Sequence, residues 1–222
     1  MPATIQLQLR RFATMDAARC SVALQPADQH GLAARIAVRE RQLLGRAFRR
    51  QVLADALAAH PAELTIATTA LGKPFLSSHP LNFNCSHSHS SYALAWSAEV
   101  GPLGVDTEDE SRAVHMERIA RTSFSVPERR ALAAARNPLL TWLTIWTRKE
   151  AALKCGGAGM RIPLADVPTG SPLAAMALVD GPCGRLRLHS WQRNGQVLSL
   201  AYPVHYATTT IILDDGEQPP MP

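Results

Sequence analysis

The chain has 222 residues, 46% hydrophobic and 18% charged, with mean hydropathy near zero. That is enough for one sizeable core or two small domains sharing an interface. A formal charge of +5 and a pI of about 9.4 favour an anionic partner without choosing among nucleic acid, a phosphorylated ligand and an acidic protein.

Met1 to Arg11 lacks the apolar stretch of a signal peptide. The apolar segment Leu139 to Trp146 is broken by Thr141 and Thr144 and is far too short to span a membrane. Cys20, Cys85, Cys155 and Cys183 are scattered with no C-x-x-C spacing, which suits reduced thiols better than a disulfide framework. The expectation is a soluble cytoplasmic protein with no membrane partner.

In chain order, Ile5 to Leu9 alternates as a strand does, and Ser21 to Leu24 is a second strand candidate. Ala33 to Ala59 carries one long helical stripe ending before Pro61. Six arginines (Arg35, Arg39, Arg41, Arg46, Arg49, Arg50) crowd that helix against Glu40 and Asp55, so one or two of them are expected to reach an anion. Leu64 to Thr69 reads as a strand before the turn Leu71-Gly72-Lys73-Pro74. Tyr92 to Trp96 and Leu103 to Asp106 are strand candidates around a polar loop.

Met116 to Arg121 and Pro127 to Ala135 are helical, the second opened by a capping box of Ser125 and Glu128. Leu139 to Cys155 is a third long helix, closed by Gly156-Gly157-Ala158-Gly159. Leu186 to Trp191, Gln196 to Tyr202 and Thr208 to Leu213 read as a closing antiparallel set. The tail from Asp214 to Pro222 is polar and proline-rich, the composition of a disordered end. The element order divides the chain into α+β halves over 1–103 and 104–213, with 214–222 as tail.

Asp106 and Glu108 are two apart, so on a strand their carboxylates share one face. Glu150 and Lys154 are four apart on a helix and share a face as well. Converging, the three acids and the lysine would make a Mg²⁺ site beside a phosphate. The bland alternative is an acid pair on an exposed strand and an ordinary surface Glu–Lys pair. In Asn84-Cys85-Ser86-His87-Ser88-His89 the alternation of Cys85, His87 and His89 would suit zinc, but a fourth ligand at the usual spacing is missing. A loop offering Ser86 and His87 to a phosphate or base is the other reading, and a polar turn is the plain one.

The ordered set closely resembles the 4′-phosphopantetheinyl transferases of the larger, surfactin-synthetase-activating type. The motifs are Gly72-Lys73-Pro74, Asn84-Cys85-Ser86-His87-Ser88, Gly104-Val105-Asp106-Thr107-Glu108, Phe124-Ser125-Val126-Pro127-Glu128 and Trp146 through Lys154 with Gly157 and Gly159. The resemblance implies two similar α+β halves related as an intramolecular pseudo-dimer, with coenzyme A in the cleft between them. It implies Mg²⁺-dependent transfer of 4′-phosphopantetheine to a serine of an apo acyl or peptidyl carrier protein, releasing adenosine 3′,5′-bisphosphate. Carried over, Asp106, Glu108 and Glu150 hold the metal, with Glu150 instead, or also, standing as general base toward the serine. Lys154 holds the pyrophosphate, while Lys73, Pro74, Ser86 and His87 hold the nucleotide end. Arg46 is the first choice for the 3′-phosphate, ahead of Arg41 and Arg50. Thr107 replaces the usual isoleucine, and on a strand it faces away from the metal.

Carrier proteins are acidic, so a basic surface would steer them, with Arg112, Arg118, Arg121 and Arg161 placed to supply it. A chain with this internal pseudo-symmetry is expected to work as a monomer. Two other classes stand beside this one. A Mg²⁺-dependent phosphohydrolase would release phosphopantetheine with no carrier present. A nucleic-acid-binding domain would show salt-dependent DNA binding, although only 5% of residues are aromatic and no helix-turn-helix pattern is visible.

Overall fold

A computed structural model describes residues 3–15, 24–112, 115–157, 159–206 and 209–216. In chain order the elements are β1 (Ala3–Arg11), α1 (Ile36–Leu57), β2 (Ile66–Thr68), β3 (Pro74–Leu76), β4 (Asn82–His87), β5 (Ser91–Ser97) and β6 (Gly104–Asp109). There follow α2 (Met116–Ser123), α3 (Val126–Ala133), α4 (Pro138–Gly156), β7 (Met176–Gly181), β8 (Gly184–Arg193), β9 (Gln196–Pro203) and β10 (Thr209–Asp214). All but Leu24 of the strand expected at 21–24 lies outside the described residues, as do Cys20 and 217–222 of the tail.

Two four-stranded sheets form, in the orders β10-β1-β5-β4 and β6-β9-β8-β7, beside a two-stranded β2-β3 ribbon. The same wiring occurs in both: a strand, a long helix, then a hairpin whose second strand lies beside the first strand. β1, α1 and β4–β5 follow it in one, and β6, α4 and β8–β9 in the other. The architecture is α+β.

Alternation sets the layers. Ile5, Leu7 and Leu9 of β1 join Ala93 and Ala95 of β5, Val105 of β6 and Leu198, Leu200 and Tyr202 of β9 in one shared core. Tyr92 and Leu94, on the opposite face of β5, pack with Leu53 and Ala54 of α1. Ala201 and Leu188 of the second sheet pack with Ala151, Ala152 and Leu153 of α4.

Two glycines permit the helices to come this close. A Cβ on Gly45 of α1 would lie 2.6 Å from the Tyr92 ring, and one on Gly104 of β6 only 2.0 Å from the Ala151 carbonyl oxygen in α4. The second contact fixes α4 against β6, and with it the distance between the acids of the two elements.

Local signals account for the helix ends. Ser125 and Glu128 close their capping box, Asn137 caps α4 by accepting from the Leu140 N–H at 3.1 Å, and Gly157 ends α4 at φ 65°. Three expectations change. β10 does not join an antiparallel set; it pairs parallel with β1, Ile5 opposite Ile211, because the apolar faces of both belong to the shared core. The polar stretch before Tyr92 contains β4, paired antiparallel with β5. β7 was not foreseen either; it pairs with β8, burying Ala177 and Val179 while Met176 and Leu178 stay exposed.

Candidate functional site

β4 and β6 are edge strands of different sheets, and side chains join them. Asn84, buried, accepts from the Val105 N–H at 2.8 Å, a bond that a ladder partner would otherwise supply. Two residues on, Ser86 donates its hydroxyl to Asp106 Oδ1 at 2.7 Å. Lys154, projecting from α4, donates to the same Asp106 oxygen at 2.6 Å and to Ser86 Oγ at 2.8 Å. Asp106, Ser86 and Lys154 thus form a closed triangle at the seam.

The second oxygen of Asp106 is buried and has no protein partner. A buried carboxylate oxygen left without a donor is costly unless a cation reaches it. Glu150 shares this neighbourhood: burial raises its carboxyl above the ordinary 4.5, the Asp106 charge adds to that, and Lys154 and Arg112 oppose. Glu108 is likewise raised, by burial first and Asp106 second, while the Arg112 guanidinium paired with it works the other way. Arg112 also lies 5.9 Å above the Trp146 ring. Burial alone would lower Lys154, but Asp106 and Glu150 outweigh it and raise its ammonium above the ordinary value. Among the described residues no ready-made cluster of three metal ligands exists, and Glu108 is held by Arg112. The donors available are nonetheless hard oxygens around one orphaned oxygen, a set that fits Mg²⁺.

Two recesses open on either side of the seam. One, of about 910 Å³, is lined by Arg41, His87, Ser90, Glu108, Asp109 and Arg112 among others. The other, of about 310 Å³, is lined by Gly72, Lys73, Pro74, Cys85, Glu150 and Lys154 among others. Cys85 packs into the cluster of Leu53 and Ala54 under α1, and among the described residues no group of His, Cys, Asp and Glu is placed to hold a metal, so zinc ligation by Cys85, His87 and His89 finds no support. Burial lowers His87 from the ordinary 6.5, and the charges of Lys154 and Arg41 push the same way, so the imidazole is neutral near pH 7.

Several expected residues do other work. Lys73 directs its ammonium at three carbonyls, that of Leu103 at 3.1 Å and, across in α4, those of Lys154 at 2.6 Å and Cys155 at 3.1 Å. Two of these lie at the C-terminal end of α4, where a cation is favoured. Lys73 is a brace at the recess wall.

Arg46 donates to the carbonyls of Asp28 and His30, both at 2.6 Å. Arg50 pairs with the Asp28 carboxylate at 2.7 Å and donates to Leu64 O at 2.6 Å. The anion that Arg50 meets, with Arg49 3.6 Å away, is internal: Asp28, in a segment with no strong sequence signal. Arg41, ranked behind Arg46, is the helix arginine that faces the larger recess.

Two motif residues are structural. Glu128 and Lys149 form a buried ion pair at 2.8 Å, and Lys149 also donates to the carbonyls of Leu164 and Val167 at 2.8 and 2.6 Å. Thr169 closes the network with a 2.7 Å bond to Glu128. Thr107 points away from the acids, its hydroxyl 3.3 Å from Gln196 Oε1.

Sequence reading missed Asp109. Its buried carboxylate accepts from the N–H groups of His89 at 2.8 Å and Ser90 at 3.3 Å, from the Ser90 hydroxyl and from Gln196 Nε2. It clamps the β4–β5 turn onto β6 beside His87. The signal was present in the period-two continuation Asp106, Glu108, Glu110, which leaves Asp109 on the opposite face with no solvent reason to be acidic.

Residues 102–202 match the model of the 4′-phosphopantetheinyl transferase superfamily. The matched segment, a little under half of the chain, is similar to that superfamily. The match runs from just before β6 nearly to the end of β9 and so takes in Asp106, Glu108, Glu150 and Lys154. A phosphopantetheinyl transferase from Thraustochytrium sp. is 32% identical over 138 residues, 55% of this chain and 48% of the relative. The chain therefore spans about half the length of that curated relative. The crystal structure of Thermotoga maritima holo-[acyl-carrier-protein] synthase superposes with a TM-score of 0.33 at 12% identity, over 46% of this chain and 62% of the other. Relative to the superfamily match, β1, α1, β4 and β10 are contributed by the rest of the chain, including Ser86 of the triangle.

Proposed function

We propose that the chain transfers the 4′-phosphopantetheine group of coenzyme A to a serine of an apo carrier protein, as a two-half transferase of the surfactin-synthetase-activating type. The observation that carries the proposal is the Asp106–Ser86–Lys154 triangle with its orphaned Asp106 oxygen, set between two recesses and flanked by Glu108 and Glu150. A catalyst of phosphoryl transfer acts chiefly by positioning and by charge stabilisation.

Asp106, Glu108 and Glu150 would hold Mg²⁺, with Glu108 released from Arg112. When bound, the ion would neutralise charge on the pyrophosphate oxygens. Lys154 keeps two hydrogens on Ser86 and Asp106, and its third is free for a phosphate oxygen. Glu150 is half-buried with a raised pKa, which suits it to take the proton of the carrier serine. The serine oxygen forms a bond to the β-phosphorus, the bridging P–O bond breaks, and adenosine 3′,5′-bisphosphate leaves with that electron pair. His87 and Arg41 face the larger recess and are placed for the nucleotide phosphates; Lys73 and Pro74 shape the smaller one. The basic balance of the chain would steer an acidic carrier.

The test is the intact mass of an apo carrier protein incubated with the full chain, coenzyme A and Mg²⁺. A gain of one phosphopantetheine, abolished by EDTA and by Asp106→Ala in a folded variant, is expected. No gain on acyl or peptidyl carriers, together with no calorimetric binding of coenzyme A, would overturn the reading.

A further inference from the structure

At the C-terminal end of α4, Cys155 is almost fully buried, with its S–H 3.3 Å from the Pro102 carbonyl oxygen. Cys183, exposed in the β7–β8 turn, places its sulfur 3.8 Å from that of Cys155. The turn is seated closely on the helix end: a Cβ on Gly156 would lie 3.0 Å from Cβ of Pro182. Both thiols are free. Neither has a part in the proposed transfer.

We propose that Cys155 and Cys183 are a peroxide-sensitive dithiol that closes reversibly to an intramolecular disulfide. The sulfurs need to approach by about 2 Å to reach bonding distance. The movement falls to the turn, which is flanked by Gly181 and Gly184, since Cys155 is fixed in the helix.

The two thiols are unequal in the way such chemistry requires. Contact with Cys155 brings Cys183 down to about 7 against the opposing effect of partial burial, and the Lys73 ammonium helps. Contact with Cys183 and burial push Cys155 up. The accessible sulfur is therefore the attacking thiolate, and the buried one resolves.

Cys183 thiolate attacks a peroxide oxygen; the O–O bond breaks, and with one proton the products are Cys183 sulfenic acid and water. The Cys155 sulfur then attacks Cys183, the S–O bond breaks, and the thiol proton leaves with the hydroxyl as a second water. Two thiols are oxidised and one hydrogen peroxide is reduced. Cys155 follows Lys154 directly, and its carbonyl holds Lys73, so the bridge would form behind two residues that line the smaller recess.

The experiment reads mass and does not depend on transferase activity. The reduced full chain is treated with a few equivalents of hydrogen peroxide, unfolded, alkylated with N-ethylmaleimide and mapped without reductant. Two fewer maleimides than the untreated chain, a 155–183 bridged peptide and full recovery with dithiothreitol are expected. Cys155→Ser treated with peroxide and dimedone is expected to carry the adduct on Cys183. Unchanged maleimide uptake, a bridge to Cys20 or Cys85 instead, or no adduct on Cys183 in that variant would each overturn the proposal.

Discussion

Asp109→Asn tests whether the seam between the halves is held electrostatically. The buried carboxylate accepts two backbone N–H groups, a hydroxyl and an amide. Hydrogen bonds to a charged group contribute about 1.5–3 kcal/mol each and neutral ones about 0.5–1.5 kcal/mol, so loss of charge weakens the two backbone bonds by about 2 kcal/mol together. The new amide also faces the Gln196 donor, leaving one group unmatched at about 1 kcal/mol. The expected loss is about 3 kcal/mol near pH 7, read as the urea unfolding free energy at constant m-value.

The pH dependence carries a sign. Burial alone would raise Asp109, but the bonds from Ser90, Gln196 and the turn outweigh it and hold the carboxyl below the ordinary 3.8. Its contribution is therefore present above about pH 4 and is lost as pH falls through the native value. The gap between wild type and variant should narrow as the pH is taken below the ordinary 3.8. A loss below 1 kcal/mol near pH 7, or a gap that widens in acid, would refute the argument.

Three other outcomes are expected. Lys149→Met leaves Glu128 charged and buried and should lower unfolding free energy by about 3–5 kcal/mol, with adding Glu128→Gln restoring part of it in a double-mutant cycle. Arg41→Ala should raise the KM for coenzyme A about tenfold with kcat nearly unchanged, whereas Arg46→Ala, which frees the Asp28–His30 carbonyls, should lower the Tm and leave KM in place. Because burial and Asp106 raise both Glu108 and Glu150, the acid limb of kcat/KM should lie above the ordinary 4.5 and shift in Glu150→Gln. Protonation of these two groups favours the folded state, so activity should fall with acid before stability does.

Helices were legible because their causes are local: the stripe of α1, the Ser125–Glu128 box, and Gly157 after α4. The acids and Lys154 were legible from spacing, since periods of two and four put each pair on one face. β4 was obscured because Asn84 and Ser86 bond across a seam, so its sequence is polar where a buried strand is usually apolar. The places of the arginines were not legible for a rotational reason. Arg41 and Arg46 are five apart, about 140° off in phase, and nothing in the sequence says which side meets the recess. The role of Lys73 depends on helix-end carbonyls that only tertiary packing brings to it.

The parallel pairing of β10 with β1 has a consequence for synthesis. Ala3 lies opposite Thr209, so β1 has one of its neighbours only when some two hundred further residues, through β10, have been made. Until then the β1 edge is an open template, and Ile5 to Leu9 are available to any strand that passes. Closing a loop of this span is slow, and topology of this kind delays folding. A released chain ending before residue 209 should therefore engage chaperones through its first sheet, while it holds every strand of the second, which ends at Pro203.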